Sequence, residues 1–332
     1  MPFTKNFRTP VQLTGVARGA FDATLEGFRT NTLLPTKENF TLDYDFQAGS
    51  APLPPAAKFR SFNTESMVNT LGVGSRKSGK LPPMSIRLHV DEYTQLKLYG
   101  QNDAIGAKFD DYAEANAVSV AQRLVLAQAE AIVTGKVNIN ERKLAVEIDF
   151  GRKPGLTANA ATVWSNTATS TPLTDLEALR LVLGKSVSST ILSRVTLGYL
   201  QRNADLMKMI IGRGSDLPSR VSAEDVMSFL TSEGFGRIEV NEETVVNTAG
   251  VEVPLFPADK VILVSGPSVG TTEVGVTAEA IASENGISAS EAPGLFAGAI
   301  PSDDPTGYDV LVSGILLPVA SAPDNTAVLD AY

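Results

Sequence analysis

The clearest periodicity in the chain runs from Lys108 to Thr134. Ala113, Ala117, Val120, Leu124, Ala127 and Ala131 recur there at spacings of three and four. That spacing predicts an α-helix with one apolar stripe, about seven turns long. Gly135 follows where a helix ends in a left-handed cap. So long a helix with a single stripe needs a broad partner surface, and its small residues let a sheet come close. Upstream, alternation replaces the helical repeat. Phe40 to Phe46 and Ser85 to Val90 both alternate apolar and polar residues, the spacing of strands. Between them the chain is punctuated by Gly49, Pro52, Pro54, Pro55, Gly72, Gly74, Gly79, Pro82 and Pro83. The pair reads as a long hairpin enclosing an excursion of about 40 residues without a core, and such excursions are functional or disordered rather than packed. Residues 1–38 have weaker periodicity and read as an arm with a short helical piece near Val16 to Phe28.

The second half mixes both periods. Thr174-Asp-Leu-Glu177 has the form of a capping box opening a helix through Leu183, with Gly184 beyond it. Leu197 to Ile211 is helical in pattern, and the polar segment Gly212 to Asp216 ends it. Ser222-Ala-Glu-Asp225 starts another helix, carried by Val226, Phe229 and Leu230 and closed by Gly234. Ile238 to Val246 predicts a strand, Asn247 to Gly250 a turn, and Val251 to Phe256 the returning strand. Val261 to Val264 reads as a short buried strand, and Val310 to Leu317 as a later one. Helices among antiparallel hairpins, without regular βαβ alternation, indicate an α+β class.

Composition narrows the function. A chain of 332 residues is expected to hold about two domains. Cysteine is absent, which removes disulfides, thiolate metal sites and cysteine nucleophiles and fits folding in a reducing cytoplasm. No apolar run reaches the roughly 20 residues of a membrane helix, and the first residues lack the apolar core of a signal peptide. The net charge of −9 argues against gripping DNA by its phosphates. Its distribution says more. Asn241 to Tyr332 holds 13 acidic residues against Lys260 alone, whereas Gln47 to His89 holds six basic residues against Glu65 alone. A basic excursion and an acidic body can pair between identical subunits, although solvated surface is the simpler account of such charge.

Candidate chemistry is sparse. Gly74 to Lys80 has the G-x-x-x-x-G-K spacing of a phosphate loop, but Leu81-Pro82-Pro83 follows, supplying no hydroxyl and barring a helix start. A flexible basic loop tip is the preferred reading. His89 is the only histidine, so neither a histidine metal cluster nor a histidine relay with a nucleophile elbow is expected. The acid pairs Asp91/Glu92, Asp110/Asp111, Glu242/Glu243 and Asp303/Asp304 sit at element ends or turns, where solvated surface outweighs glycosidase chemistry. Asp149 and Arg152 are either a local ion pair or a plain strand end. No catalytic residue, metal or cofactor is expected.

The order of motifs carries a resemblance. The helix ending Ala127-Gln-Ala-Glu-Ala131 runs into Gly135-Lys136, then Ile148-Asp149-Phe150-Gly151-Arg152 and the only tryptophan, Trp164. Further on come Tyr199 to Lys208, Val253-Pro-Leu-Phe-Pro-Ala-Asp-Lys260 and Gly314 to Val319 followed by Pro323-Asp324 and a final strand. Over most of its length this order resembles the lambda-like family of tailed-phage major capsid proteins. The resemblance implies an HK-97-type α+β fold. Its parts would be an N-terminal arm (1–38), an extended-loop hairpin with flanking strands (39–90), a peripheral domain with a long spine helix (91–172) and an axial domain (173–332), the last strands returning to the peripheral domain. It implies a non-enzymatic protein that assembles with itself into pentamers and hexamers of an icosahedral head. DNA would be held only by enclosure, and no membrane would be involved. The chain would assemble in the host cytoplasm and end in the virion. A portal and a decoration protein are implied partners. A separate scaffolding protein is also expected, because no charged helical region precedes the arm. The extended loop would lie across a neighbouring subunit, with Lys58, Arg60, Arg76, Lys77 and Lys80 as contact residues. The acidic body would keep the shell interior from trapping DNA. Two other readings compete. A tail-tube or decoration protein fits poorly with the seven-turn helix, and a soluble α+β enzyme would need carboxylate, lysine or hydroxyl chemistry in a pocket.

Overall fold

The computed structural model describes residues 3–47, 56–57, 59–66, 76–212 and 218–332. Its longest element, the helix Asn102–Thr134, has 33 residues and so spans about 50 Å. Every residue of the predicted stripe is buried, but so are Ala121, Val125, Ala129 and Ile132 on adjoining faces. The helix is covered over a wide arc because several elements pack on it, chiefly the helix Pro10–Glu26 and the strand Thr306–Val319. It ends at Gly135, whose φ of 72° is the expected left-handed cap.

The helix Pro10–Glu26 corrects the reading of a short helical piece near Val16. Its start carries a reciprocal capping box: the Gln12 backbone N–H donates to Thr9 Oγ1, and the Thr9 backbone N–H donates to Gln12 Oε1. Pro10 occupies the first turn, where a missing N–H costs nothing. Leu13, Ala17, Phe21 and Leu25 pack into the same core as the long helix. The start signal was present in the sequence, but the glycines and alanines after it diluted the apolar period.

A five-stranded sheet supports this first core. Thr306–Val319 pairs antiparallel with both Phe296–Asp303 and Pro83–Val90, and further along with Thr271–Val274, which in turn takes Thr36–Glu38 in parallel. The expected hairpin is therefore corrected. Pro83–Val90 closes on Thr306–Val319, with Ile86 opposite Val312, while Asp43–Gln47 pairs with Arg76–Lys80. Alternation identifies a strand but not its partner, which register and tertiary packing decide. Gly79 and Lys80 thus lie in a strand, and the expectation of a basic loop tip there fails.

The second core surrounds another five-stranded sheet, ordered Thr157–Asn159, Thr326–Asp330, Lys260–Val264, Ser189–Leu192 and Arg237–Val240. Helices Pro172–Leu183, Arg194–Leu200, Ala204–Ile211 and Ala223–Ser232 bring apolar residues to it. Ser222 caps the last of these, its Oγ accepting from the Asp225 N–H at 3.0 Å, as expected. Three expectations change. Helix 172–183 starts two residues before Thr174 because Pro172 sets its first turn, so no capping box forms there. Leu197 to Ile211 is two helices, broken where the buried Asn203 accepts from the N–H groups of Asp205 and Leu206 and donates to Ser170. Ile238 to Val246 is two short strands in different sheets, Arg237–Val240 and Thr244–Val246.

Candidate assembly interface

The hairpin of Asp43–Gln47 and Arg76–Lys80 is fixed to the body at one end by aromatic packing. Phe46 is buried against Phe150 with ring centroids 5.5 Å apart, and Tyr44 stacks on Phe46. Gly79 faces the Tyr44 ring so closely that a side chain there would collide with it. Outward from this anchor the basic residues engage their own chain. Arg76 Nε donates to both carboxylate oxygens of Asp45, at 2.7 and 2.8 Å. That hydrogen bond holds the exposed Asp45 carboxyl below its ordinary range and raises the guanidinium. Lys77 donates to the backbone carbonyl of Asp149 and lies 3.9 Å from its carboxylate. Arg60 Nη1 donates to the carbonyl of Thr64 at 2.6 Å. Lys80 is exposed and makes no ion pair among the described residues. Lys58 lies outside the described residues. Of the expected contact residues, Arg76, Lys77 and Lys80 share one strand, and Arg60 belongs to a separate turn.

The Ile148-Asp149-Phe150-Gly151-Arg152 segment does mechanical work at the end of the long helix. Phe150 is fully buried in the first core and Leu156 in the second, so the chain passes between cores here. Arg152 folds back onto the helix C-terminus. Its guanidinium donates to the carbonyls of Val133 at 2.8 Å and Ala131 at 3.4 Å, and also to that of Ile132. The carbonyls of Ile132 and Val133 belong to the last turn, which has no further helical N–H to pair with, while that of Ala131 is shared with the Gly135 N–H at 3.0 Å, and a cation there also meets the negative end of the helix dipole. Burial lowers the Arg152 pKa to about 10, with Asp324 opposing the shift, so the group stays charged at neutral pH. Asp149 takes no part in this. Its Oδ1 accepts from the Gly151 N–H at 2.7 Å, and Lys136 lies 3.8 Å from Oδ2. Of the two alternatives for these residues the ion pair does not form: Asp149 is the end of the strand Leu144–Asp149, and Arg152 beyond it holds the helix end.

Sequence reasoning missed this role of Arg152, yet a signal existed. The strands Lys136–Glu141 and Leu144–Asp149 form a tight hairpin that puts Asp149 opposite Lys136. Residues just after Asp149 must then lie beside Gly135. Trp164 has a comparable hidden partner. It is wholly buried, and its Nε1 donates to Asp175 Oδ2 at 2.9 Å, while Asp175 Oδ1 accepts from the Ala161 N–H at 3.3 Å.

The remaining chemical candidates stay apart. His89 Nδ1 lies 2.8 Å from Asp309 Oδ1, and Arg87 pairs with the other carboxylate oxygen at 3.1 Å. Among the described residues no three histidine, aspartate or glutamate side chains gather to hold a metal, and no helix is long and apolar enough to cross a membrane. Glu242 pairs with Arg194, and Asp110 with Arg8. These are tethers of one element to another.

Comparison with known proteins matches the chain to a family. The model for Phage major capsid protein E matches residues 55–330. The fold is similar to that of a protein assigned to the capsid of an Escherichia coli CFT073 prophage. The two are 15% identical with a TM-score of 0.61, over 95% of this chain and 99% of that one. A phage-related protein from Bordetella bronchiseptica RB50 is 14% identical, with a TM-score of 0.52 over 96% of this chain and 95% of that one. Comparison with curated protein sequences gives no match.

Proposed function

The chain belongs to the phage major capsid protein E family, with an HK-97-type α+β fold, and from that premise we propose that it builds pentamers and hexamers tiling an icosahedral head around double-stranded DNA. The observation that carries the reading is the match over residues 55–330, which takes in the long helix and nearly all of the second core. The role is structural. The long helix with its sheet serves as the peripheral domain, and the second core serves as the axial domain at capsomer centres. The strand Thr306–Val319, packed on the long helix, supports a return of the last part of the chain to the peripheral domain.

The hairpin beyond Asp43–Gln47 and Arg76–Lys80 lies across the neighbouring subunit. Arg76 and Lys77, already on Asp45 and Asp149, stiffen it, and Lys80 with Lys58 presents charge to a neighbour's acids. Each exposed pair contributes only about 0.2–1 kcal/mol, so repetition over the shell supplies the cooperativity. A separate scaffolding protein and a portal are the further partners of this reading. Assembly takes place in the host cytoplasm and the product is the virion. Negative-stain microscopy with sedimentation of the chain, co-expressed with its neighbouring genes, tests the reading. Closed shells are expected; a stable monomer or small oligomer overturns the reading.

A further inference from the structure

Within five consecutive residues, Asp149 to Lys153, the chain meets three separate parts of the molecule. Lys77 of the hairpin formed by Asp43–Gln47 and Arg76–Lys80 donates to the Asp149 carbonyl, and Phe46 of the same hairpin packs on Phe150. The Phe150 N–H donates to the carbonyl of Gly135 at 3.0 Å, and Arg152 caps the end of the long helix. The Arg152 side chain crosses Gly135 so closely that a Cβ on the glycine would stand 3.0 Å from the Arg152 Cβ and 3.1 Å from Nε. Next along, the Lys153 N–H donates to Asp324 Oδ1 at 2.9 Å, and Lys153 Nζ lies 3.3 Å from Oδ2. Asp324 is buried in the turn Pro323–Asn325. The second core's own elements hold that turn. Lys185 donates to Asn325 Oδ1 at 2.8 Å, and the Ser265 N–H donates to the Asn325 carbonyl at 2.7 Å.

The segment itself has little freedom. Gly151 takes a φ of 77°, which favours glycine, and its N–H closes on Asp149 Oδ1 at 2.7 Å. What can change is the seat of Arg152, which is either docked on the helix carbonyls or released to water. Docking strips water from a charged guanidinium, and Nε is left buried without a partner. The docked position therefore needs support from its flanks, and both supply it. On one side the negative charge of Asp324 opposes the cost of burial. On the other, Lys77 and Phe46 fix the strand end that delivers Arg152 to the helix.

We propose that residues 149–153 are a coupling junction, in which the hairpin and the Pro323–Asn325 turn of the second core both stabilise the docked position of Arg152, so that loosening either one loosens the other. The coupling is reciprocal, because both ends bias one equilibrium. It belongs to the single subunit and needs no neighbour, so it holds whether or not copies assemble.

Amide hydrogen exchange of the free subunit reads the junction from both ends. Asp324→Asn keeps an acceptor for the Lys153 N–H and removes the charge. It should speed exchange in the ladder between Asp43–Gln47 and Arg76–Lys80 by about fivefold or more, although no atom of that hairpin is altered. Lys77→Ala, a change in the hairpin alone, should speed exchange of the Lys153 amide and of Ala131 to Gly135. In an Arg152→Ala background the effect of Asp324→Asn on the hairpin should vanish, because the shared element is gone. Hairpin exchange unchanged by Asp324→Asn overturns the junction. An effect of equal size without Arg152 also overturns it, since that marks a general loosening of the fold. Where Asp324→Asn does not fold, Lys77→Ala decides: exchange unchanged at Lys153 and at Ala131 to Gly135 overturns the proposal.

Discussion

Replacing Asp175 with alanine should loosen the second core by about 2–4 kcal/mol, worked from its hydrogen bonds. Trp164 is wholly buried and its indole N–H has Asp175 as acceptor at 2.9 Å. Without the carboxylate that donor is left unsatisfied, a cost of about 1–3 kcal/mol. Losing the longer bond from the Ala161 N–H adds about 0.5–1.5 kcal/mol. A negative charge near the start of the helix Pro172–Leu183 also contributes about 0.3–1 kcal/mol. Relief from burying a carboxylate offsets part of the total. Asp175→Asn keeps an acceptor in place and should cost less than half as much, because neutral hydrogen bonds are the weaker kind. The assay is urea unfolding of the free subunit followed by the emission of Trp164, the chain's one tryptophan. With a slope of about 2–3 kcal/mol per molar urea, the alanine variant's midpoint should fall by roughly 1 M. A midpoint within about 0.2 M of the parent refutes the reasoning, given the precision of such curves. So does an asparagine variant less stable than the alanine one.

Three further outcomes follow from the same contacts. Arg152→Ala should fray the end of the long helix, costing about 2–3 kcal/mol, and Arg152→Lys should recover only part because an ammonium has no fork; hydrogen exchange of Ala131 to Gly135 unchanged in the alanine variant would contradict the capping role. Arg142 and Lys143 turn the hairpin at φ 41° and 74°, between Glu141 and Leu144. An Asn-Gly turn accommodates those angles without strain, so Arg142→Asn with Lys143→Gly should stabilise the subunit by roughly 1 kcal/mol, and a lower melting temperature would count against this. Arg76 holds the Asp45 carboxyl below its ordinary value. The pair therefore supports the hairpin fully above the unfolded carboxylate range near pH 4 and is lost as pH falls through the lower folded value; NMR titration of Asp45 in the parent and in Arg76→Gln should differ, and equal midpoints would exclude the pairing.

Much of the fold was legible where the signal was local. The apolar stripe of the long helix, its end at Gly135, the Ser222 cap and the buried strand at Val261 all depend on residues within a few positions of one another. What failed was partnership across distance. Ser85 to Val90 reads as a strand, but nothing near it says that Thr306–Val319, more than 200 residues on, supplies its ladder. The buried side of Asn203 was invisible for the same reason: its amide is occupied by Ser170 in a loop far upstream. The candidate contact residues were chosen by charge alone. The geometry then committed Arg60, Arg76 and Lys77 to partners in their own chain. Arg152 lay between these cases, since a tight hairpin from Lys136 to Asp149 was enough to return it to the helix end.

The central claim is that identical copies close into a shell through five- and six-membered rings. Electron cryomicroscopy of particles from cells making the chain together with the products of its neighbouring genes tests it most directly. The account predicts an icosahedral reconstruction in which each ring contains only this chain, with the exposed acids of residues 241–332 lining the interior. A helical tube of stacked rings, or a chain found only as an addition on the outside of a shell built by another protein, would contradict it.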